Sequence, residues 1–193
     1  QDKIKNKEVS FKNRSNTKIL GYIGTIYEGK GVEYLIDQIL SYNDDELVLN
    51  IYGEAQCSVY LSKLKSKVKN SNINFMGYEE TSKIFDTIDI LVVPSLLNEA
   101  FGRTIIEAYS YGIPVIGAKR GGIPELIKEG KTGFTFDPSK PNEFRNVMEK
   151  ILKDDLVSKF SKQCFSVAYK YLPSVISEQY SELYYMTLNN ELS

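Results

Sequence analysis

Two glutamates, Glu99 and Glu107, lie eight positions apart across a predicted loop and the helix that follows it, from about residue 103 to 111. A helical side chain leans toward the helix N-terminus, so Glu107 can reach back toward the loop that carries Glu99. Between them, the free N–H groups of Gly102, Arg103 and Thr104 would form an anion site at the positive end of the helix dipole. Carboxylates that accept hydroxyl hydrogens, beside amides that hold a phosphate, suit a sugar nucleotide. The residues alone leave open a simpler interpretation, in which Glu99 caps the helix and Glu107 is solvated.

The stretch around these glutamates, PSLLNEAFGRTIIEAYSYGIPVIGAKRGGIPELIKEGKTGF, begins at Pro94. It resembles the donor-binding half of the large family of retaining glycosyltransferases with the GT-B fold, often called family 4 or glycosyl transferases group 1. The hallmark of that family is a pair of glutamates separated by seven residues within a longer set of fixed positions. Here the matching positions are Pro94, Ser95, Glu99, Phe101, Gly102, Glu107, Ala108, Gly112, Pro114, Val115, Ile116, Gly121, Gly122, Glu125 and Gly133.

The resemblance implies roles for these residues. Glu99 would contact the donor sugar together with the backbone after it, at Ala100 and Phe101, and Glu107 would bind the ribose hydroxyls. The amides of residues 102–104 would face the diphosphate. The implied reaction moves a sugar, with retention, from a nucleotide diphosphate sugar to a glycan or lipid-linked acceptor, in the synthesis of surface polysaccharide or cell-envelope glycan. The implied enzyme is of the hexosyltransferase type and needs no cofactor beyond its nucleotide sugar substrate.

A glycine-rich turn, GTIYEGKG from Gly24, follows the first predicted strand. Such a turn lets the backbone approach a phosphate, and Lys30 supplies a point charge, although most turns of this kind are only structural. Its spacing is not that of a P-loop. By the resemblance, Lys30 matches a lysine that binds the diphosphate and stabilises it as it departs, which makes Lys30 and Glu99 the implied catalytic residues. Thr25 stands where the family usually has an arginine, so one bidentate phosphate clamp is absent.

Two further turns are candidates for the same crevice. Tyr78 follows the third predicted strand, where the family covers the nucleotide base; an ordinary turn tyrosine is an equal alternative. Lys119 and Arg120 precede Gly121 and Gly122. These glycines permit close approach of the backbone, and the two cations would add positive charge beside the crevice.

Apolar β-branched runs alternate with helical periodicity along the chain, which predicts an α/β fold with a doubly wound, parallel, Rossmann-like sheet, one half of a GT-B fold. The predicted strands are 19–24, 47–52, 73–76, 90–93, 114–117 and 134–136. The predicted helices are 31–41, 59–68, 81–85, 103–111, a short one ending near 128, 141–152, 155–169 and 173–188. The aromatic faces of the last two helices are typical of core positions; they comprise Phe160, Phe165, Tyr169, Tyr180 and Tyr184.

The expected organisation has three parts. Residues 1–18 are polar and predict a linker or edge segment, residues 19–172 form the nucleotide-sugar-binding domain, and residues 173–193 form a C-terminal helix. The resemblance places an amino-terminal acceptor domain before the linker and packs the last helix toward it, which would leave part of the face of that helix exposed in this chain. An isolated donor half of this kind would not catalyse transfer.

Composition narrows the classes of protein. The formal net charge is −1, which provides no general attraction for nucleic acid or an anionic membrane. The sequence has no histidine and two cysteines, so a metal site is not expected, and Cys57 and Cys164 indicate a reducing, cytoplasmic compartment. No apolar run reaches the length of a transmembrane helix, roughly 18 residues. For the full-length protein, the resemblance implies that the inner face of the membrane is a possible partner through peripheral contact.

Two other functions remain as hypotheses at this point. A non-catalytic nucleotide-binding or regulatory module would have the same crevice and the same fold. A dinucleotide-dependent oxidoreductase would need a G-x-G-x-x-G sequence after the first strand, which residues 19–31 lack.

Overall fold

A computed structural model describes residues 17–153 and 156–189. The predicted linker therefore lies mostly outside the described residues, although its last residue, Lys18, already belongs to a strand. The described strands are β1 Lys18–Ile23, β2 Leu47–Tyr52, β3 Ile73–Gly77, β4 Ile90–Val93, β5 Val115–Ala118 and β6 Gly133–Phe136. The described α-helices are α1 Val32–Tyr42, α2 Ser58–Lys67, α3 Thr81–Phe85, α4 Arg103–Tyr109, α5 Ile123–Leu126, α6 Glu143–Leu152, α7 Leu156–Tyr169 and α8 Pro173–Leu188.

All six strands pair in parallel in one sheet, in the order β3-β2-β1-β4-β5-β6. Parallel strands with helices on both faces carry continuous apolar runs, because neither face meets water. Leu20, Leu49 and Ile90, on three neighbouring strands, are accordingly 0% exposed. The predicted doubly wound, Rossmann-like sheet is confirmed.

The helices pack on the sheet through the stripes that their periodicity predicts. In α1, Val32, Leu35, Ile36 and Ile39 are all buried, as expected from their 3.6-residue spacing. Most boundaries differ from the predicted ones by one or two residues, because helix ends depend on local hydrogen bonds that a hydrophobic pattern does not contain.

The aromatic residues of the last two helices divide between core and surface. Phe160 of α7 is 5% exposed, whereas Tyr169, at the end of the same helix, is 58% exposed. Tyr180 and Tyr184 of α8 are 57% and 65% exposed, so they are not core positions within the described residues, as expected if the last helix packs toward another domain. No residue of α8 is buried by the described residues. An aromatic stripe indicates an apolar helix face, but the sequence does not state what covers that face.

The order of the strands reverses between β1 and β4, and this position locates the ligand crevice. In open parallel sheets, the loops that leave the carboxyl ends of the strands diverge at such a switch point and leave a crevice. Here those loops are the glycine-rich turn after β1 and residues 94–102 after β4. The two loops with the predicted site residues are therefore neighbours in space.

The two loops are packed together at their bases. The Leu96 N–H donates to the Gly29 carbonyl at 2.9 Å. Gly31 has φ +71°, and a Cβ atom there would lie 2.0 Å from the Pro94 carbonyl oxygen. A residue with a side chain cannot occupy that position without displacing the main chain of the other loop. Glycine at this position is therefore a condition for bringing the loops together.

Replacing Gly31 with alanine should destabilise the fold more than replacing Gly77 with alanine. Both glycines have nearly the same backbone conformation, with φ +71° and +73°, but a Cβ at Gly77 would meet nothing within 4 Å. Each variant pays the left-handed conformational cost of about 1–2 kcal/mol. Gly31→Ala also clashes with Pro94, which should add at least about 1 kcal/mol to the loss. Urea unfolding measures both free energies, and equal losses would show that the loops do not depend on this contact.

Candidate functional site

An ion pair joins the two loops at the centre of the crevice. Lys30 lies at the end of a single 3-10 turn, Glu28–Lys30, and its Nζ is 2.5 Å from Oε1 of Glu99. The side chains are 29% and 21% exposed, so the pair is partly shielded from water. The sequence predicted both residues at the crevice but did not predict that they contact each other.

Ser95 donates a hydrogen bond to the same carboxylate. Its hydroxyl is completely buried and donates to Oε1 of Glu99 at 2.7 Å. In the sequence, Ser95 was only one position of the family motif, and its hydroxyl had no assigned partner. Ser95 lies four residues before Glu99, and a tight loop can bring two such side chains together. This spacing was the one sign in the sequence that Ser95 could bind Glu99.

The two hydrogen bonds determine the ionisation of Glu99. Burial raises the pKa of Glu99, but the hydrogen bonds from Lys30 and Ser95 together outweigh that effect. The pKa of this carboxyl therefore lies below its usual value. Glu99 is an ionised acceptor throughout the neutral pH range.

The main chain of the Glu99 loop is held by the glycine turn after β5. The Gly122 N–H donates to the Glu99 carbonyl at 2.7 Å, and the Gly121 N–H donates to Oδ1 of Asn98 at 3.1 Å. A Cβ atom on Gly121 would lie 2.2 Å from the Glu99 carbonyl oxygen. These glycines do permit close approach of the backbone, as predicted, and what approaches is the backbone of the Glu99 loop.

The two cations before this turn are paired. Nη1 of Arg120 is 3.3 Å from Oδ1 of Asp137, and Nζ of Lys119 is 3.8 Å from Oε2 of Glu143. The expected positive charge beside the crevice is therefore offset by carboxylates from the segment after β6. Lys119 and Arg120 stabilise that segment and are poor candidates for the phosphate-binding role of the absent arginine.

Glu107 lies on α4 in a different electrostatic environment. Nε of Arg103, one turn earlier, is 3.3 Å from Oε1 of Glu107, but the Arg103 side chain is 88% exposed. Burial raises the pKa of Glu107, and the solvated arginine opposes that effect only in part. Glu107 is thus a partly buried carboxylate with one exposed partner.

The N-terminus of α4 is uncapped. Gly102, with φ +92°, precedes the helix, and no side chain donates or accepts a capping hydrogen bond there. The simpler interpretation, in which Glu99 caps the helix, is therefore wrong. The role of the amides near Arg103 and Thr104 as an anion site stays a prediction.

The remaining predicted residues lie at the same edge of the sheet. The Gly24 N–H donates to the Tyr52 carbonyl at 3.1 Å, and Thr25 is exposed. Ala100 is also exposed. Tyr78 follows β3 and is 79% exposed, two strands away from β1, so the structure does not bring it into contact with the ion pair.

Phe101 has a contact that the sequence did not indicate. Its ring packs edge-on against Tyr171, with the ring centroids 5.7 Å apart and the planes at 64°. Tyr171 lies in the short connection between α7 and α8. The contact links the Glu99 loop to the base of the C-terminal helix.

Residues 17–153 and 156–189 contain neither a candidate metal site nor a candidate membrane-spanning helix. They contain no group of three or more histidine, cysteine, aspartate or glutamate residues arranged to hold a metal ion. They also contain no helix that is both long enough and apolar enough to cross a membrane.

The family model for glycosyl transferases group 1 matches residues 3–170. The chain belongs to this family. A D-inositol 3-phosphate glycosyltransferase of Corynebacterium diphtheriae is 27% identical over 152 residues, which are 72% of this chain and 35% of the relative. The chain thus spans about a third of the length of that relative.

Two solved structures have the same fold. HepE of Anabaena, solved in complex with UDP-glucose, matches this chain with a TM-score of 0.77 at 24% sequence identity. The match covers 87% of this chain and 48% of the HepE chain. The C-terminal domain of LpcC, a group 1 glycosyl transferase of Francisella tularensis, gives 0.71 at 23% identity over 80% of this chain and 85% of its own.

Glu99 and Glu107 should titrate on opposite sides of the ordinary glutamate pKa of about 4.3. Glu99 should lie below that value and Glu107 above it, as measured by NMR of the carboxyl carbons. In Lys30→Met the pKa of Glu99 should rise, because burial then opposes the Ser95 hydrogen bond alone, while Glu107 should not change. A Glu99 that titrates above Glu107 in the unmodified chain would contradict the assignment.

The same shift fixes the sign of a stability effect. Because the pKa of Glu99 is lower in the folded state, its contribution to stability is present above about pH 4.3 and is lost as the pH falls through the folded pKa. Lys30→Met should therefore lose less stability than the unmodified chain between neutral and acid pH.

Proposed function

We propose that this chain is the donor-binding domain of a retaining glycosyltransferase that uses a nucleotide diphosphate sugar. The observation that carries the proposal is the meeting of Lys30 and Glu99 at the switch point of the sheet, in a chain of the glycosyl transferases group 1 family. A cation for the diphosphate and a carboxylate for sugar hydroxyls are thereby adjacent, as a sugar diphosphate requires.

Each group has a chemical task in this proposal. Lys30 and the uncapped amides at Gly102–Thr104 bind the diphosphate and stabilise the charge that develops on it when the bond to the sugar breaks. Glu99, with the backbone of Ala100 and Phe101, accepts hydrogen bonds from the sugar. Glu107 accepts the ribose hydroxyls.

In this proposal the base of the nucleotide lies toward the edge strand β3 and its phosphates lie beside the central strand β1. We assign Tyr78, exposed after β3, to the wall that covers the base, and Gly24 and Thr25 to the phosphate side. The crystal structure of HepE in complex with UDP-glucose supports a nucleotide sugar as the ligand class. Thr25 contributes one hydroxyl where an arginine would contribute a planar pair of donors, which lowers the expected affinity for the diphosphate.

The rest of the proposal concerns the whole enzyme. The chain corresponds to 48% of HepE, so we assign acceptor binding to a second domain, which α8 contacts through its exposed face. The acceptor is a glycan or a lipid-linked glycan of surface polysaccharide or envelope synthesis. The enzyme acts in the cytoplasm, consistent with the free thiols of Cys57 and Cys164, with peripheral contact to the membrane.

Glu107→Ala should weaken nucleotide binding by about 1.5–3 kcal/mol, the usual loss for hydrogen bonds to a charged group. The fold should persist, since the Glu107 side chain is 35% exposed and its ion-pair partner is solvated. Asp45→Ala is the matched control, because it removes one exposed carboxylate before β2, at the opposite edge of the sheet. Calorimetry that gives the same affinity for both variants would remove Glu107 from the site.

The 193-residue chain alone should bind nucleoside diphosphates at micromolar to millimolar strength and transfer no sugar. Positioning of two substrates supplies about 7–11 kcal/mol of barrier reduction, and a donor domain alone holds one of them. NMR measures binding, and product mass with a glycan acceptor measures transfer. Transfer by this chain would disprove the two-domain proposal, and absence of binding to any nucleotide would disprove the donor site. Binding without transfer, even after an acceptor domain is supplied, would instead favour the non-catalytic module.

A further inference from the structure

We propose that the ion pair of Glu99 and Lys30 makes the crevice select the sugar-bearing diphosphate over the bare nucleoside diphosphate. The inference rests on the proposed function and adds a specificity role to Glu99. In this role Glu99 favours the donor partly by opposing the product that remains when the sugar has left.

The first support is that Lys30 is already paired with a carboxylate of the same chain. Its Nζ contacts Oε1 of Glu99, and within residues 17–153 and 156–189 it has no other hydrogen-bond or ion-pair partner. A phosphate that binds Lys30 must therefore share the cation with a carboxylate that is already there. The negative charge of Glu99 acts on any diphosphate at this position.

The second support is the rigidity of the carboxylate. Ser95 is completely buried and donates to the same Oε1 atom, and the Gly122 N–H holds the Glu99 main chain. If the Glu99 side chain moved away from an incoming anion, it would lose both its hydrogen bond from Ser95 and its ion pair with Lys30. The repulsion therefore acts on the ligand instead of being relieved by movement of the side chain.

The two ligands differ in charge where this carboxylate acts. The terminal phosphate of a nucleoside diphosphate has a second ionisation near pH ~6, so at neutral pH it carries about one more negative charge than a sugar ester. Like charges at a few Å repel, more strongly in a partly shielded crevice than in water. The bare diphosphate thus meets a penalty that the ester avoids.

The sugar also brings compensation. Oε2 of Glu99 accepts no hydrogen bond from any residue of the described chain, whereas Oε1 accepts two. An ionised carboxylate has acceptor capacity for further donors, and sugar hydroxyls provide them. One side chain thereby attracts the donor sugar and repels the product phosphate, so the product is released more readily than the donor.

The experiment measures calorimetric affinities for UDP and UDP-glucose, with ADP, ADP-glucose, GDP and GDP-mannose as further pairs. Glu99→Gln keeps the shape of the side chain and removes its charge. It should strengthen binding of the bare diphosphate about 3- to 10-fold, the effect of removing one nearby charge at a partly exposed site. It should not strengthen binding of the sugar ester, so the preference for the ester falls.

Glu28→Gln is the matched control. Glu28 lies in the same loop, two residues before Lys30, and is exposed. It loses the same charge without touching the ion pair, and both affinities should stay within about 2-fold of the unmodified chain. If Glu28→Gln and Glu99→Gln strengthened diphosphate binding equally, the effect would come from the net charge of the protein, and the inference would be overturned.

A second ligand tests the unmodified chain without relying on the fold of a variant. The methyl ester of the terminal phosphate of UDP lacks the extra charge and brings no sugar hydroxyls. It should bind more tightly than UDP and less tightly than UDP-glucose. A methyl ester that binds no better than UDP overturns the inference.

Lys30→Met separates this inference from the proposed function. If Lys30→Met weakens diphosphate binding while Glu99→Gln fails to strengthen it, the donor site stands and the selectivity role of Glu99 is wrong. If no pair binds, or if Lys30→Met leaves every affinity unchanged, the donor site is wrong and the inference falls with it.

Discussion

The crevice depends on a main-chain contact between two loops. The Leu96 N–H donates a hydrogen bond to the Gly29 carbonyl, and the backbone of Gly31 lies close to the Pro94 carbonyl. This contact fixes the loop after β1 against the loop after β4 at the point where the strand order reverses. Once those main chains are joined, the side chains of Lys30 and Glu99 meet across a short gap. The ion pair is thus a result of backbone packing and needs no ligand to assemble it.

Environment, more than spacing, distinguishes the two glutamates of the motif. Glu99 has a buried hydroxyl and a shielded cation, which keep it ionised. Glu107 is partly buried, which raises its pKa, and its solvated arginine partner opposes that effect only in part. Two carboxylates eight residues apart in the sequence therefore reach different acidities.

The sequence predicted the sheet and the positions of the site loops, because both follow from hydrophobic periodicity and glycine spacing. The strand Leu47–Tyr52 and the helix Pro173–Leu188 have the predicted bounds. It did not predict the ion pair of Lys30 and Glu99, since 69 positions separate these residues and only the strand order brings them together. The pairing of Arg120 with Asp137 was missed for a related reason. Periodicity shows that a residue belongs to a face or turn and leaves its partner undetermined.

The main chain and side chain of Glu99 are held by different parts of the molecule. The glycine turn after β5 binds the carbonyl, while Lys30 and Ser95 bind the carboxylate. The main-chain hydrogen bond that fixes the loop therefore does not depend on the side chain at position 99. A substitution at position 99 can thus change the chemical group that the loop presents while the main-chain hydrogen bond from Gly122 still holds the loop.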